Sequence, residues 1–277
     1  MSFEGRVILI TGGTSGIGKA AALAFAGQGA SVVLAARDEN KGKAAALEVD
    51  QVARKVYRAD PKRSRTRTWA LFVPCNVSSA ADCSSAVGRT LDAFGRLDVL
   101  VNNAGVIVRE KTVVETTPEE WDLTFDVNVK GTYLMSRAAI PAMLGGGKGV
   151  DGKVPVGGAI INNGSYLGLV GAKGVPAYAA AKGAIINLTR AMALDHAAEG
   201  IRVNCIAPGS VETPMLRREW EEMGGEAEVR HVFEGKHPLG RISQPDEIAQ
   251  AILFLASDQA SFITGICLPV DGGITAG

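Results

Sequence analysis

Residues 6–18 read RVILITGGTSGIG. Val7 to Ile10 is an apolar, mostly β-branched run that stops at glycine, the pattern of a strand buried on both faces of a parallel sheet. Glycines at 12, 16 and 18 then allow a tight turn into GIGKAAALAFAGQGA (16–30), an alanine-rich helix that should stop at Gly27 or Gly29. The spacing from Gly12 is G-x-x-x-G-x-G. A turn of this kind leaves backbone amides unpaired at a helix N-terminus. Together with the helix dipole they suit an anion such as a pyrophosphate. Thr14 and Ser15 add hydroxyl donors, and Gly16, Ile17 and Gly18 form the far side of the turn.

The same alternation continues outward from this unit. SVVLAAR (31–37), LFVPCNV (71–77), LDVLVNNAG (97–105), GGAIINNGS (157–165), IRVNCIAPG (201–209) and GICLPVDGG (265–273) read as further strands. Helical patterns fall at about 38–54, 79–94, 118–145, 176–199, 214–235 and 245–257. Strand and helix in alternation imply an α/β fold: a single-domain, Rossmann-like, doubly wound parallel sheet of about seven strands with helices on both faces. No internal boundary interrupts residues 1–277. Two stretches read as inserts. Residues 54–70 begin with RKVYRADPKRSRTR, seven basic residues against one Asp, and 145–158 is the glycine-rich GGGKGVDGKVPVGG. Ligands of such sheets bind at the carboxyl ends of the strands, and the polar and glycine clusters fall there.

Composition narrows the function classes. Lys plus Arg equals Asp plus Glu at 29 each, so no global field points to nucleic acid or membrane. No run of 18 apolar residues predicts a membrane span, and the N-terminus lacks a secretory pattern. The four cysteines have no metal-ligand spacing and there are three dispersed histidines, so no metal site is expected. The cysteines read as reduced residues of a cytoplasmic protein.

Two further stretches carry chemistry. The second strand ends Ala35, Ala36, Arg37, Asp38. An acid at such a strand end bonds a ribose 2′-hydroxyl and an arginine accommodates a 2′-phosphate. Ala36 with Arg37 beside it favours NADP(H). Asp38 serving the ribose of NAD(H) is the alternative. In INNGSYLGLVGAKGVPAYAAAK (161–182), Tyr178 and Lys182 are separated by three alanines and follow Pro176. On a helix they share a face, and a neighbouring ammonium should lower the phenol from its ordinary pKa of about 10. That would fit Tyr178 for general acid and base work. Alone, such a pair arises by chance in about one sequence in six of this composition.

In series these residues resemble the short-chain dehydrogenase/reductase family, over essentially the whole chain apart from the inserts. The matching motifs are Thr11-Gly12-x-x-x-Gly16-x-Gly18, Asn102-Asn103-Ala104-Gly105, Asn128 in VNVKG, Ser165, Tyr178-x-x-x-Lys182 and Pro208-Gly209. The resemblance implies an oxidoreductase interconverting a carbonyl and a secondary alcohol, with hydride transfer carried by a nicotinamide cofactor. It implies that Tyr178 is the general acid or base and that Ser165 holds the reacting oxygen. Lys182 would lower the Tyr178 pKa and bind the nicotinamide ribose, and Asn128 would hold a water linking Lys182 to solvent. Asn103, Ala104 and Gly105 would line the cofactor cleft. Pro208, Gly209, Val211 and Thr213 would cradle the nicotinamide end. Where the family usually has Asp near the adenine this chain has Asn76, followed by Val77, and the Asn76 amide oxygen should still accept from the adenine amino group.

By the same resemblance residues 213–237 form a lid, with Val106, Leu167, Leu169, Met215, Leu216 and Trp220 as candidate walls for a small-molecule substrate. The VDGG run (270–273) resembles tetrameric members, so a homo-oligomer is expected, a tetramer or else a dimer. Two alternatives stand beside this reading: a β-ketoacyl-thioester reductase of lipid synthesis, for which Arg217, Arg218 and Arg230 could receive an acidic carrier, and a non-catalytic dinucleotide-binding sensor.

Overall fold

A computed structural model describes residues 1–57, 68–145 and 157–277. β1 (Val7–Thr11) is buried along its whole length. The chain continues through α1 (Gly16–Gly27), β2 (Ser31–Ala36), α2 (Glu39–Val56), β3 (Ala70–Pro74), α3 (Ala80–Phe94) and β4 (Val99–Asn102). Then come α4 (Pro118–Phe125), α5 (Gly131–Gly145), β5 (Gly158–Asn163), α6 (Pro176–His196) and β6 (Ile201–Pro208). α7 (Pro214–Glu222), α8 (Glu226–Glu234), α9 (Pro245–Ala256) and β7 (Cys267–Val270) complete it.

The seven strands form one parallel sheet in the order β3-β2-β1-β4-β5-β6-β7. Strand side chains alternate between faces with period 2, and each face is covered. Ile8, Ile10, Val32 and Leu34 join the layer made with α1, α2 and α9. Leu9, Val33 and Ala35 join the opposite layer with α3, α5 and α6. This accounts for strands that read as continuous apolar runs rather than as alternating ones. The chain runs from β1 to β2 and β3 on one side, then crosses to β4 on the other. Strand order therefore reverses between β1 and β4, which opens a crevice at their carboxyl ends.

Three expectations are corrected. Residues 118–145 are not one helix: a π-helical turn, Asp126–Lys130, separates α4 from α5 and contains Asn128. Residues 214–235 break between α7 and α8 at Gly224 and Gly225, whose φ values of 111° and 105° end a right-handed helix. The inserts are also narrower than read. α2 runs on to Val56, Ala70 already belongs to β3, and Gly145 and Gly158 belong to α5 and β5. Most of both inserts, residues 58–67 and 146–156, lies outside the described residues. Among the described residues no helix is long and apolar enough to cross a membrane.

Candidate active site

The crevice is built where three strand ends are stitched together. Thr11 Oγ1, at the end of β1, accepts from the backbone N–H groups of Asn103 (2.9 Å) and Ala104 (3.0 Å). Asn103 Nδ2 donates back to the carbonyls of Thr11 and Gly12. Its Oδ1 accepts from Asn163 Nδ2, at the end of β5, at 2.9 Å. The glycines make this closeness feasible. A Cβ at Gly18 would lie 2.4 Å from the Gly12 carbonyl oxygen, and one at Gly12 would lie 3.0 Å from Ala104 Cα. Gly12 and Gly16 also have positive φ, 64° and 50°, which a side chain would strain.

Ser15 caps α1 in an extended conformation, and its side chain makes no capping bond with any described group. The first N–H groups of α1 therefore point into the cleft unclaimed by a side chain, beside Gly16 and Ile17. No acidic residue occupies the first turn of α1. This cradle fits a pyrophosphate: small, donor-lined and at the positive end of a helix dipole. At the other end of the cleft Pro208, Gly209, Val211 and Thr213 follow β6. Thr213 caps α7, accepting from Leu216 N–H, and its methyl would meet a Cβ on Gly16 at 3.0 Å. The base of the lid thus closes against the glycine turn.

The reacting end lies between β5 and α6. Ser165, Tyr178 and Lys182 all line the cleft. Pro176 opens α6, and the run of alanines lets Tyr178 and Lys182 stack one turn apart, with Lys182 Nζ 5.4 Å from the phenol ring centre. Ser165 lines the cleft with Tyr178, close enough to lower the phenol's proton affinity, and its Oγ accepts from Leu167 N–H at 3.2 Å. Lys182 Nζ donates to the Asn163 carbonyl at 2.7 Å. Asn128 is fully buried. Its Nδ2 donates to the carbonyls of Val106 (2.9 Å) and Thr124 (2.8 Å), and its Oδ1 accepts from Val106 N–H (3.3 Å). A Cβ at Gly105 would lie 2.7 Å from Asn128 Oδ1 and 3.8 Å from Lys182 Nζ, so Asn128 backs the lysine across that glycine. The π-helical turn is what offers Asn128 inward, a frequent use of such turns.

The electrostatics differ from the sequence expectation. Burial pushes the Tyr178 phenol up to about 12, opposed first by Arg109 and then by Ser165. Burial pushes the Lys182 ammonium down to about 8. Lys182 therefore does not draw Tyr178 below the ordinary phenol range in this arrangement. Lys182 is buried and Tyr178 half-buried at the foot of the cleft, so both charged forms lose hydration, and that outweighs a cation whose hydrogen bond goes to a backbone carbonyl.

Several expected residues stand apart from the cleft wall. Gly18 and Asn128 act from behind it, as spacer and as support. Thr14, Arg37, Asn76 and Val77 lie outside the lining. Arg37 is exposed at the end of β2, while Asp38 caps α2 through Lys41 N–H and pairs with Lys41 Nζ at 3.5 Å. Asn76 Oδ1 already accepts from the Ser78 N–H and hydroxyl, at 3.2 and 2.9 Å. The amide oxygen expected to serve an adenine is thus committed to a local turn. Among the candidate walls Leu167, Met215 and Leu216 line the cleft. Leu169 is exposed, Val106 gives its backbone to Asn128, and Trp220 is buried inside the lid with Leu216, Val229, Phe233 and Ile242.

Arg109, Asn163, Tyr166, Ser210 and Lys236 line the cleft without having been singled out from sequence. His237 was also missed. Its Nε2 accepts from Ser210 N–H at 3.0 Å and its Nδ1 bonds the Phe233 carbonyl at 2.8 Å, which ties the end of the lid to the loop after β6.

A dinucleotide cradle at a sheet switch point, ending at a Ser-Tyr-Lys cluster, defines a nicotinamide-dependent oxidoreductase. A family model described as Enoyl-(Acyl carrier protein) reductase matches residues 12–275. The meso-2,3-butanediol dehydrogenase of Serratia marcescens is 40% identical over 276 residues, covering 100% of this chain and 97% of that protein. The 3-oxoacyl-[acyl-carrier-protein] reductase of Thermotoga maritima is 37% identical, covering 99% of each. Among solved structures, a short-chain type dehydrogenase/reductase from Mycobacterium marinum superposes with a TM-score of 0.85 at 31% identity, covering 100% of this chain and 98% of that one. The chain belongs to the short-chain dehydrogenase/reductase family and is an enzyme of the kind that acts on CH–OH groups with a nicotinamide dinucleotide. That removes the non-catalytic sensor from consideration.

Proposed function

We propose that the protein interconverts a carbonyl and a secondary alcohol on a small molecule, using NADP(H), with Tyr178 as the proton donor and acceptor. The observation that carries this reading is the convergence of Ser165, Tyr178 and Lys182 on one cleft that begins at the uncapped N-terminus of α1. A bound nicotinamide would supply the hydride to the carbonyl carbon, or take it from the alcohol. In reduction the Tyr178 hydroxyl hands its proton to the carbonyl oxygen, and in oxidation the phenolate takes it back. A phenol raised to about 12 keeps that proton in hand through the neutral range. Ser165 donates to the same oxygen and stabilises the charge that develops there. Asn128 and Lys182 approach each other across Gly105, which supports reading them as the route by which the Tyr178 proton is replaced through water.

The cradle residues for the dinucleotide are Gly12, Thr14, Ser15, Gly16 and Ile17 at the pyrophosphate, with Gly18 as spacer. Asn76 and Val77 are assigned to the adenine end through their backbone, since Asn76 Oδ1 is held by Ser78. Asn103, Ala104 and Gly105 serve the cleft wall, and Pro208, Gly209, Val211 and Thr213 the nicotinamide. The preference for NADP(H) over NAD(H) rests on Arg37. Asp38 is held by Lys41 and by the start of α2, so the free charge beside a ribose at the end of β2 is positive. Against carrier-protein docking, Arg217 is paired with Glu212 at 2.5 Å, and Arg230 with Glu226, Glu234 and Glu212. We read the protein further as a cytoplasmic homo-oligomer, a tetramer by family resemblance. Exposed Trp121, stacked on half-buried Phe125, and exposed Leu123 beside it on α4 support a covered face.

The test is a panel of small ketones and secondary alcohols followed at the nicotinamide absorbance band with NADPH and NADH. The expected outcome is turnover of one carbonyl class with NADPH preferred, and Arg37→Ala removing most of that preference. An unchanged preference in Arg37→Ala would make Arg37 a bystander.

A further inference from the structure

The charge around the reacting end is lopsided. The cleft is lined by Arg109, Lys182, Arg218 and Lys236, and by no Asp or Glu among the described residues. Lys182 is engaged with Asn163, and Arg218 donates through Nε to the Pro214 carbonyl at the surface. Arg109 is different. It follows the turn after β4, stands close enough to Tyr178 and Tyr166 for its charge to act on both phenols, and is only partly exposed. Its Nη1 meets Glu219 Oε1, from the lid helix α7, at 2.6 Å. That pair is one-armed. Arg109 Nε and Glu219 Oε2 are both buried, and neither finds a hydrogen-bond partner among the described residues. Lys236 is near enough to pull on the same carboxyl, which burial nevertheless raises above its ordinary range.

A lid latch alone would gain most from a two-armed arginine–carboxylate fork. Here Arg109 Nε is left without a partner among the described residues, and a second cation, Lys236, lines the same cleft with its Nζ 4.6 Å from the Phe233 ring centre. Glu219 and its neighbours Glu110 and Glu222 lie outside the lining, so the charged side chains that line the cleft itself are all cations. A neutral substrate would bury that excess uncompensated, whereas an anionic substrate would neutralise it.

Resting on the carbonyl/alcohol assignment above, we propose that the substrate is an organic anion, an oxo acid or hydroxy acid. Its carboxylate, set apart from the reacting carbon, docks on Arg109 with Lys236 as the second cation. Glu219 occupies one arm of Arg109 and holds it in place under the lid until the substrate takes the other. Arg109 is then a specificity-determining residue, and the cluster explains why a lid carboxylate is 6% exposed at the edge of a basic cleft.

The test separates binding from turnover. Protein loaded with NADP⁺ is titrated calorimetrically with unreactive straight-chain carboxylates of four to six carbons and with their primary amides. The carboxylates should bind at least about tenfold more tightly. Arg109→Gln should bring the two to near parity, and Lys236→Gln, at an exposed position that cannot unfold the chain, should reduce the preference several-fold. In turnover, oxo acids should exceed their amides in kcat/KM by a similar factor, mainly through KM, and Arg109→Gln should shrink that factor. Equal binding of acid and amide, or a preference untouched by both substitutions, would overturn the proposal. A carboxylate preference that depends on Arg109, in a protein that reduces no carbonyl with either dinucleotide, would support the anion site while contradicting the reaction assigned to Tyr178.

Discussion

Tyr178 and Lys182 sit one helical turn apart, and burial moves their proton affinities in opposite directions. The phenol goes up to about 12 and the ammonium comes down to about 8. The sign of the consequence follows directly. Below about pH 8 Lys182 is charged and Tyr178 holds its proton, which is the pair that the proposed reduction requires. As pH rises through about 8 the lysine is lost while the phenol remains neutral. The kcat/KM for carbonyl reduction, which reports the free enzyme, should therefore fall along a limb near pH 8. Lys182→Arg should move that limb upward by more than one pH unit, because a guanidinium does not titrate there. A profile flat to pH 9 in the parent enzyme would mean that Lys182 is not the group concerned. None of this was legible in the sequence. The spacing of Tyr178 and Lys182 placed them on one face, but the size of the desolvation, and the part played by Arg109, depend on what the folded cleft excludes. Arg109 itself belongs to no motif, and only the path of the chain after β4 and the arrival of Glu219 from α7 bring it to the site.

Among the elements, the glycine turn and α1 were fully readable. A β-branched run, three glycines at fixed spacing and an alanine-rich helix admit few other geometries, and Gly18 shows why. Its absent side chain is the space taken by the Gly12 carbonyl oxygen and by Asn103 Nδ2, which would lie 2.4 and 2.5 Å from a Cβ. Gly18→Ala should push the turn off the Asn103 loop. The expected result is a loss of about 1–3 kcal/mol of stability, as for other overpacked sites, together with about tenfold or weaker NADPH binding. Thermal denaturation and a fluorescence titration would check the two. Unchanged affinity would show that the turn tolerates opening. The breaks within 118–145 and 214–235 were read less well. DVNVK carries no glycine or proline, so the π-helical turn that aims Asn128 inward leaves no local signature. Gly224 and Gly225 did carry one, and their consecutive positive φ values make it plain in retrospect.

On the scale of the whole molecule, strand order separates two tasks. The β1 side of the switch point carries the uncapped amides proposed for the dinucleotide, and the β5–α6 side carries Ser165, Tyr178 and Lys182, the cluster proposed to handle the proton. Asn103 and Asn163 join the two across the strand ends. The separation makes the central claim testable with one substitution. Tyr178→Phe removes the hydroxyl and leaves the ring that lies 5.4 Å from Lys182 Nζ. It should leave NADPH affinity within about threefold of the parent, since the hydroxyl is no part of the pyrophosphate cradle. It should lower kcat for carbonyl reduction by about a thousandfold. Turnover within about tenfold of the parent, with binding intact, would contradict the assignment of the proton to Tyr178.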